Sequence, residues 1–285
     1  MKKRIITAII AVVGIFPFFW YSEALEPTNP LTYLFPLLFA AVSFVSVWEM
    51  LYCLKLNKVY FISVPLYFVA LAFPMLARVM RTDMQGYLRV AFLAALVMVL
   101  YFFACIVFHF GKVDVAKVAL LYMACFYIIA ANSGVIILRD LPGVGRFVYL
   151  LPFLCSWMTD TSAYFTGRLF GKHKLIEAVS PKKTIEGAVG GFIFCAATAM
   201  LYGYLVGRLY GVTPNYIALG IGGSIIGIVS QIGDLVMSAI KREYGVKDFG
   251  WILPGHGGVL DRFDSSMAVT VIVMVISQYF AFFTV

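Results

Sequence analysis

Nine stretches of this sequence are each long and apolar enough to cross a bilayer. Their approximate limits are 5–21, 31–54, 59–79, 87–110, 116–138, 147–167, 185–210, 216–240 and 264–284. About 20 apolar residues span the hydrocarbon layer as a helix. A backbone in lipid must satisfy its own N–H and C=O groups, which leaves helices or a closed barrel, and the ten-residue alternation of a membrane barrel is absent. The expectation is an all-α, polytopic integral membrane protein of about nine transmembrane helices. Composition agrees, because 285 residues that are 62% hydrophobic and 13% charged cannot hide their apolar side chains in one core surrounded by water. Soluble, disordered, fibrous and disulfide-framework classes are excluded. The five cysteines, Cys53, Cys105, Cys125, Cys155 and Cys195, sit singly in apolar runs without metal-ligand spacing and read as small buried hydrophobes. The first segment follows Met1-Lys2-Lys3-Arg4 and precedes a loose cleavage-like Ser22-Glu23-Ala24, yet it is longer and more aromatic than a signal-peptide core, so it reads as a retained helix.

The net charge of +8 is accounted for by sidedness. With the N-terminus inside, 16 of the 22 Lys and Arg residues fall on inner segments, which places the N-terminus in the cytoplasm and the C-terminus outside. Basic cytoplasmic loops beside a lipid bilayer explain the charge without nucleic acid. Half of the charged side chains fall between residues 160 and 264. Residues 1–150 therefore read as N-terminal transmembrane scaffold, with Glu49 and His109 as isolated polar positions satisfied near the headgroups. Residues 151–285 read as a catalytic transmembrane region with cytoplasmic loops.

Three features carry the chemistry. Asp160 and Asp234 lie inside apolar spans, where an ionised carboxylate costs several kcal/mol and calls for a cavity and a partner. Each sits a similar distance before the cytoplasmic end of its helix, roughly 10–12 Å at 1.5 Å per residue, so the two suggest a shared polar chamber open to the cytoplasmic side. Ser230, Asp234, Ser238 and Lys241 follow at i, i+4, i+8 and i+11, one face of a helix. An interhelical hydrogen-bond seam is the plainer reading of that stripe; its ending in a cation favours a site. Second, Ser180-Pro181-Lys182-Lys183-Thr184 reads as a turn leading into a helix start, with two lysines beside free backbone N–H groups and the positive end of the dipole. Third, Lys241, Arg242, Lys247 and Asp248 precede a Pro-Gly-His-Gly-Gly turn in which Gly257 and Gly258 let a bulky anion approach and His256 donates. Asp261 and Asp264 follow at i, i+3, with Arg262 between them. They are either an acid pair complementing a helix dipole or ligands for Mg²⁺, which takes hard oxygens and shares its shell with phosphates.

The inventory is carboxylates for a metal, cations for phosphates, and neither a nucleophile–base pair nor a GxxxxGK[ST] loop. It suits phosphoryl or nucleotidyl transfer, where positioning and charge neutralisation carry most of the catalysis.

The run Ser238-x-Ile240-Lys241-Arg242-x4-Lys247-Asp248-x-Gly250-x2-Leu253-Pro254-x-His256-Gly257-Gly258-Val259-x-Asp261-Arg262-Phe263-Asp264 resembles the signature of phosphatidate cytidylyltransferases. Ser180-Pro181-Lys182-Lys183-Thr184 followed by Glu186-Gly187 resembles that family's second marker, with Ile185 in place of the usual aromatic. The resemblance covers about residues 155–266. It implies CTP and phosphatidic acid as substrates and CDP-diacylglycerol and pyrophosphate as products. It also implies Mg²⁺, with a possible second cation, and a membrane-embedded homodimer; compactness and the lack of a transit peptide favour a bacterial plasma membrane. Carried onto this sequence, it implies that Asp234, Asp261 and Asp264 hold metal. Lys182, Lys183, Lys241, Arg242, Lys247 and Arg262 would bind phosphates, assisted by Ser180, Thr184, His256, Gly257 and Gly258, with Asp160, Ser230, Ser238 and Asp248 nearby. Three other readings use overlapping parts. A CTP-dependent lipid kinase would transfer the γ-phosphoryl group, and a CDP-alcohol phosphotransferase would need a longer DG…AR…G…D…D series that is missing. A secondary transporter would use Asp160 and Asp234 as an ion relay.

Overall fold

The computed structural model describes residues 29–253 and 257–285. The first expected span, 5–21, and His256 lie outside the described residues. The other eight expected spans are all helices of 20 residues or more. A 3₁₀ turn, Pro30–Tyr33, leads into α1 (Leu34–Cys53), followed by α2 (Tyr60–Val79), α3 (Met84–Phe108) and α4 (Val115–Arg139). After the short α5 (Gly145–Val148) come α6 (Leu151–Phe170), α7 (Ile185–Tyr210), α8 (Tyr216–Glu243) and α9 (Leu260–Tyr279).

Among the described residues, six helices, α1 to α4, α7 and α8, are long and apolar enough to cross a membrane. Of the eight long helices, α6 and α9 are the two that fall short in apolarity. The reason is in their residues. Ser156, Thr159, Asp160, Thr161 and Ser162 interrupt α6, and Asp261, Arg262, Asp264, Ser265 and Ser266 open α9. These two helices carry three of the four candidate acids placed at membrane depth or a helix opening.

The chain is not wholly helical. Lys174–Ile176 (β1) and Ser180–Thr184 (β2) pair as an antiparallel ribbon with Lys174 opposite Thr184 and Ile176 opposite Ser180. The 180–184 segment, expected as a turn, is thus the second strand of a hairpin. Its last residue still starts the next helix, because the Thr184 hydroxyl accepts the Gly187 N–H at 3.1 Å as an N-cap. A second ribbon pairs Thr213–Pro214 (β3) with Phe283–Thr284 (β4), and the Asn215 N–H donates to the Phe282 carbonyl at 2.9 Å. That ribbon ties the end of the chain to the turn between α7 and α8.

Contacts divide the chain into two compact units. The first comprises the described part of Met1–Ile137 together with Val246–Arg262; the second comprises Leu138–Gly245 and Phe263–Val285. In the first unit α1 packs along α2, with Phe35, Phe39, Val47, Met50 and Leu51 buried. His109 is absorbed locally: it stacks on Phe61 at 3.9 Å between ring centroids and shares a hydrogen bond with the Cys105 carbonyl.

In the second unit α7 packs against both α6 and α8. The approach depends on small residues, the usual device where lipid offers no hydrophobic drive between helices. A Cβ at Gly227 of α8 would lie 3.0 Å from Cys195 Cβ and 3.1 Å from Phe192 Cα, both on α7. At Gly187 of α7 it would lie 2.7 Å from the Ala163 carbonyl oxygen of α6. Replacing Gly227 by Val should therefore force α7 and α8 apart and destabilise the protein by about 1–3 kcal/mol, the usual cost of overpacking. Thermal unfolding of the detergent-solubilised variant, read against the parent, measures this.

Candidate functional site

The second unit gathers one group of site residues. The β1–β2 hairpin is held by bonds within itself, to α8 and to α7. Lys174 Nζ donates to the Pro181 carbonyl, and Arg242 Nε donates to the Val179 carbonyl at 3.4 Å. Glu186, in the first turn of α7, accepts the Lys172 N–H at 3.1 Å and pairs with His173 Nδ1 at 2.7 Å. The hairpin is thereby anchored from α8 and from α7, and its last lysine is presented in a defined place.

That lysine meets the stripe on α8. Lys183 Nζ lies 2.7 Å from Asp234 Oδ2, with both side chains about a quarter exposed. The Ser238 hydroxyl, one turn on, donates to Asp234 Oδ1 at 3.3 Å. Asp264 of α9 is buried, and Asp234, Lys241 and Asp160 are near enough for their charges to act on it. Its Oδ1 accepts the Ser265 N–H at 2.8 Å, and the Ser265 hydroxyl donates to Asp160 Oδ2 at 3.2 Å. Lys241 is buried as well. Ser230 is fully buried, and its hydroxyl finds no hydrogen-bond partner among the described residues. Asp160, Lys183, Asp234, Ser238, Lys241 and Asp264 thus form one polar cluster with mixed charge. Ser180 and Thr184 flank it on the hairpin, Thr184 serving as the helix cap. Lys182 is exposed, and Arg242 is exposed while bracing the hairpin.

The first unit holds the glycine turn. Gly257 has φ +86°, left-handed backbone that suits glycine. At the end of this turn and the start of α9, the chain's own carboxylates accept from backbone N–H groups. Asp261 Oδ2 accepts the Gly258 N–H at 3.1 Å and the Phe249 N–H at 2.8 Å. Glu49 Oε1 accepts the Val259 N–H at 2.9 Å, and Glu49 Oε2 accepts the Leu260 N–H at 2.7 Å. These amides precede the first complete turn of a helix and need outside acceptors. Asp248 packs beside Gly257, while Lys247 and Arg262 are exposed.

Glu49 is the residue that sequence reasoning missed. It was assigned to the headgroup region, but it is buried with 0% exposure. A signal was present, since a lone acid four residues from the end of a long apolar helix meets the same depth argument that singled out Asp160 and Asp234. His173 and its pairing with Glu186 were also missed, because nothing in the spacing foretells the hairpin that joins them.

These features define a polytopic membrane protein with a charged site built at helix ends and on a short hairpin. The cytidylyltransferase family model matches residues 2–280, and the chain belongs to that family of nucleotidyl-transferring enzymes. It is 34% identical over 270 residues to a phosphatidate cytidylyltransferase of Staphylococcus epidermidis, covering 94% of this chain and 96% of that protein. The phosphatidate cytidylyltransferase of Staphylococcus saprophyticus gives the same identity and coverage. Against that of Staphylococcus aureus the identity is 50% over 128 residues, which spans 44% of this chain and 46% of the relative.

Removing the Asp261 carboxylate leaves two backbone N–H groups without their acceptor. Asp261→Ala should therefore loosen the backbone at Phe249 and Gly258 at a cost of about 1–3 kcal/mol per amide left unsatisfied. Hydrogen–deuterium exchange at the Phe249 and Gly258 amides should rise in the variant and stay slow in the parent.

Proposed function

We propose that this protein transfers the cytidylyl group of CTP to phosphatidic acid, giving CDP-diacylglycerol and pyrophosphate. The observation that carries the reading is the Lys183–Asp234 pair, through which the hairpin marker and the serine–aspartate–lysine stripe become one site. Membership of the cytidylyltransferase family and the names of the staphylococcal relatives support the choice of substrates.

In this reading a phosphate oxygen of the lipid attacks the α-phosphorus of CTP. The bond from that phosphorus to the bridging oxygen of the β-phosphate breaks, and pyrophosphate leaves with the electron pair. A phosphate monoester is already anionic near neutral pH, so no strong general base is required. Lys182, Lys183 and Lys241 supply the positive charge that the triphosphate and lipid phosphate need. Asp234 holds Lys183 at a fixed place, and Ser238 orients Asp234. Asp160, joined to Asp264 through Ser265, sets the position of the buried Asp264 carboxylate.

Mg²⁺ belongs to the reading. Among the described residues no three His, Cys, Asp or Glu side chains converge tightly enough to hold an ion alone. Mg²⁺ commonly needs only one or two carboxylates and completes its shell with water and substrate phosphates, so the oxygen-only pair Asp234 and Asp264 fits it. Bound there, Mg²⁺ would neutralise charge on the reacting phosphates. The reading assigns the metal to Asp234 and Asp264, the two acids that share the polar cluster with Lys241 and Asp160.

The reading places the site and the N-terminus on the cytoplasmic side of a bacterial plasma membrane, supported by the Lys and Arg bias, and takes the enzyme to be a homodimer.

The test uses purified protein in detergent with phosphatidic acid, Mg²⁺ and CTP labelled at the α-phosphorus. Label should move into the chloroform phase and should stay in water when EDTA is added. Transfer of γ-label instead would replace the reading with a lipid kinase. Asp264→Asn and Asp234→Asn should each lower turnover by about 100-fold or more, as expected for loss of a group that stabilises charge in the transition state, with little loss of folded protein. Near-normal turnover in both would overturn the assignment.

A further inference from the structure

Glu49 is a fully buried acid in an apolar helix, and its interactions differ from those of the site carboxylates. No Lys or Arg pairs with it among the described residues; its partners are the backbone N–H groups of Val259 and Leu260, one to each oxygen. Those amides open α9, where unsatisfied donors and the positive end of the helix dipole favour an anion. The carboxylate thus fills from within the place where a helix would otherwise receive a phosphate. Two glycines shape the socket around it. A Cβ at Gly258 would lie 2.6 Å from Glu49 Oε2, and a Cβ at Gly250 would run into Glu49 Oε1. Both glycines belong to the 238–264 run, and here they have a physical reason that does not involve substrate. Trp251 meets the stacked Trp48 and Tyr52 rings edge-to-face, 4.9 Å from Tyr52 and 5.6 Å from Trp48 between centroids.

We infer that Glu49 is a positioning residue for the signature loop: it fixes where α9 begins and so sets the height and rotation of the acids that follow on that helix, Asp261 in its first turn and Asp264 one turn later. The inference rests on the proposed cytidylyl transfer for its kinetic consequence. Glu49 touches no substrate. It acts through the backbone of residues 259 and 260. The same geometry leaves the Val259 and Leu260 amides engaged by Glu49 rather than by substrate phosphates.

The test combines kinetics with limited proteolysis on the full chain in detergent micelles containing phosphatidic acid. Glu49→Ala removes both acceptors. Glu49→Gln keeps the shape and one acceptor oxygen but turns an NH₂ toward the other amide. Expected for Glu49→Ala is a fall in kcat, normalised to folded protein, of about 30-fold or more, with KM for CTP within about threefold of the parent. Glu49→Gln should fall between the two. Tryptic cleavage after the exposed Lys247 should quicken in both variants. Gly258→Ala, with Glu49 intact, should reproduce the kcat loss, because its methyl group displaces the carboxylate. Should Glu49→Ala not fold, Glu49→Gln decides. A Glu49→Gln protein with parental kcat and parental cleavage overturns the inference, as does a rise in KM with kcat unchanged. If the parent itself moves no label into lipid, the proposed reaction fails separately, and the cleavage rates alone judge Glu49: faster cleavage supports the positioning role and an unchanged rate overturns it.

Discussion

A charged group inside a lipid bilayer has no water to fall back on, and the placement of Glu49, Asp160, Asp234 and Asp264 follows from that constraint. An unpaired carboxylate at membrane depth costs several kcal/mol, so each one is tied to a specific donor. Asp234 has a lysine and a serine, Asp264 has the Ser265 amide, Asp160 has the Ser265 hydroxyl, and Glu49 has two backbone amides at a helix start. Because the donors come from different segments, satisfying the acids also decides how those segments are held. The hairpin meets α8 through the Lys183–Asp234 ion pair and the Arg242 bond to Val179, and the glycine turn meets α1 through one buried glutamate.

The two uses of carboxylate differ in kind. In the second unit acids and cations are mixed and several are partly open, an arrangement that can exchange partners when phosphates arrive. Lys183 and Asp234 are each about a quarter exposed, which leaves the pair within reach of a ligand. In the first unit Glu49 and Asp261 have no such freedom. They complete the hydrogen bonding of a glycine turn whose amides would otherwise be orphaned, at the full desolvation cost of each. Gly250 and Gly258 make room for the Glu49 carboxylate.

Much of this was legible beforehand. Eight apolar segments became helices close to their expected limits, because a lipid solvent leaves little else for a long apolar run. The polar face of α8 was legible from its i, i+4, i+8 spacing, and so was the start of α7 at Thr184, since helix period and capping are local properties. The β1–β2 hairpin was not, because its pairing of Lys174 with Thr184 depends on non-local backbone partners and on Glu186 and Arg242 holding it in place. Glu49 was passed over because it is isolated in sequence: Val259 and Leu260, its partners, are more than 200 residues away.

By itself, then, the sequence determined the solvent, the helices, the family and the kinds of chemistry available, since these follow from composition, from local period and from the residues of the two marker segments. Only the tertiary structure decided which donor each acid receives. It assigned Lys183 to Asp234, the turn amides to Asp261 and the opening amides of α9 to Glu49. That choice is not written in any one segment, because a buried charge is satisfied by whatever group the fold brings to it.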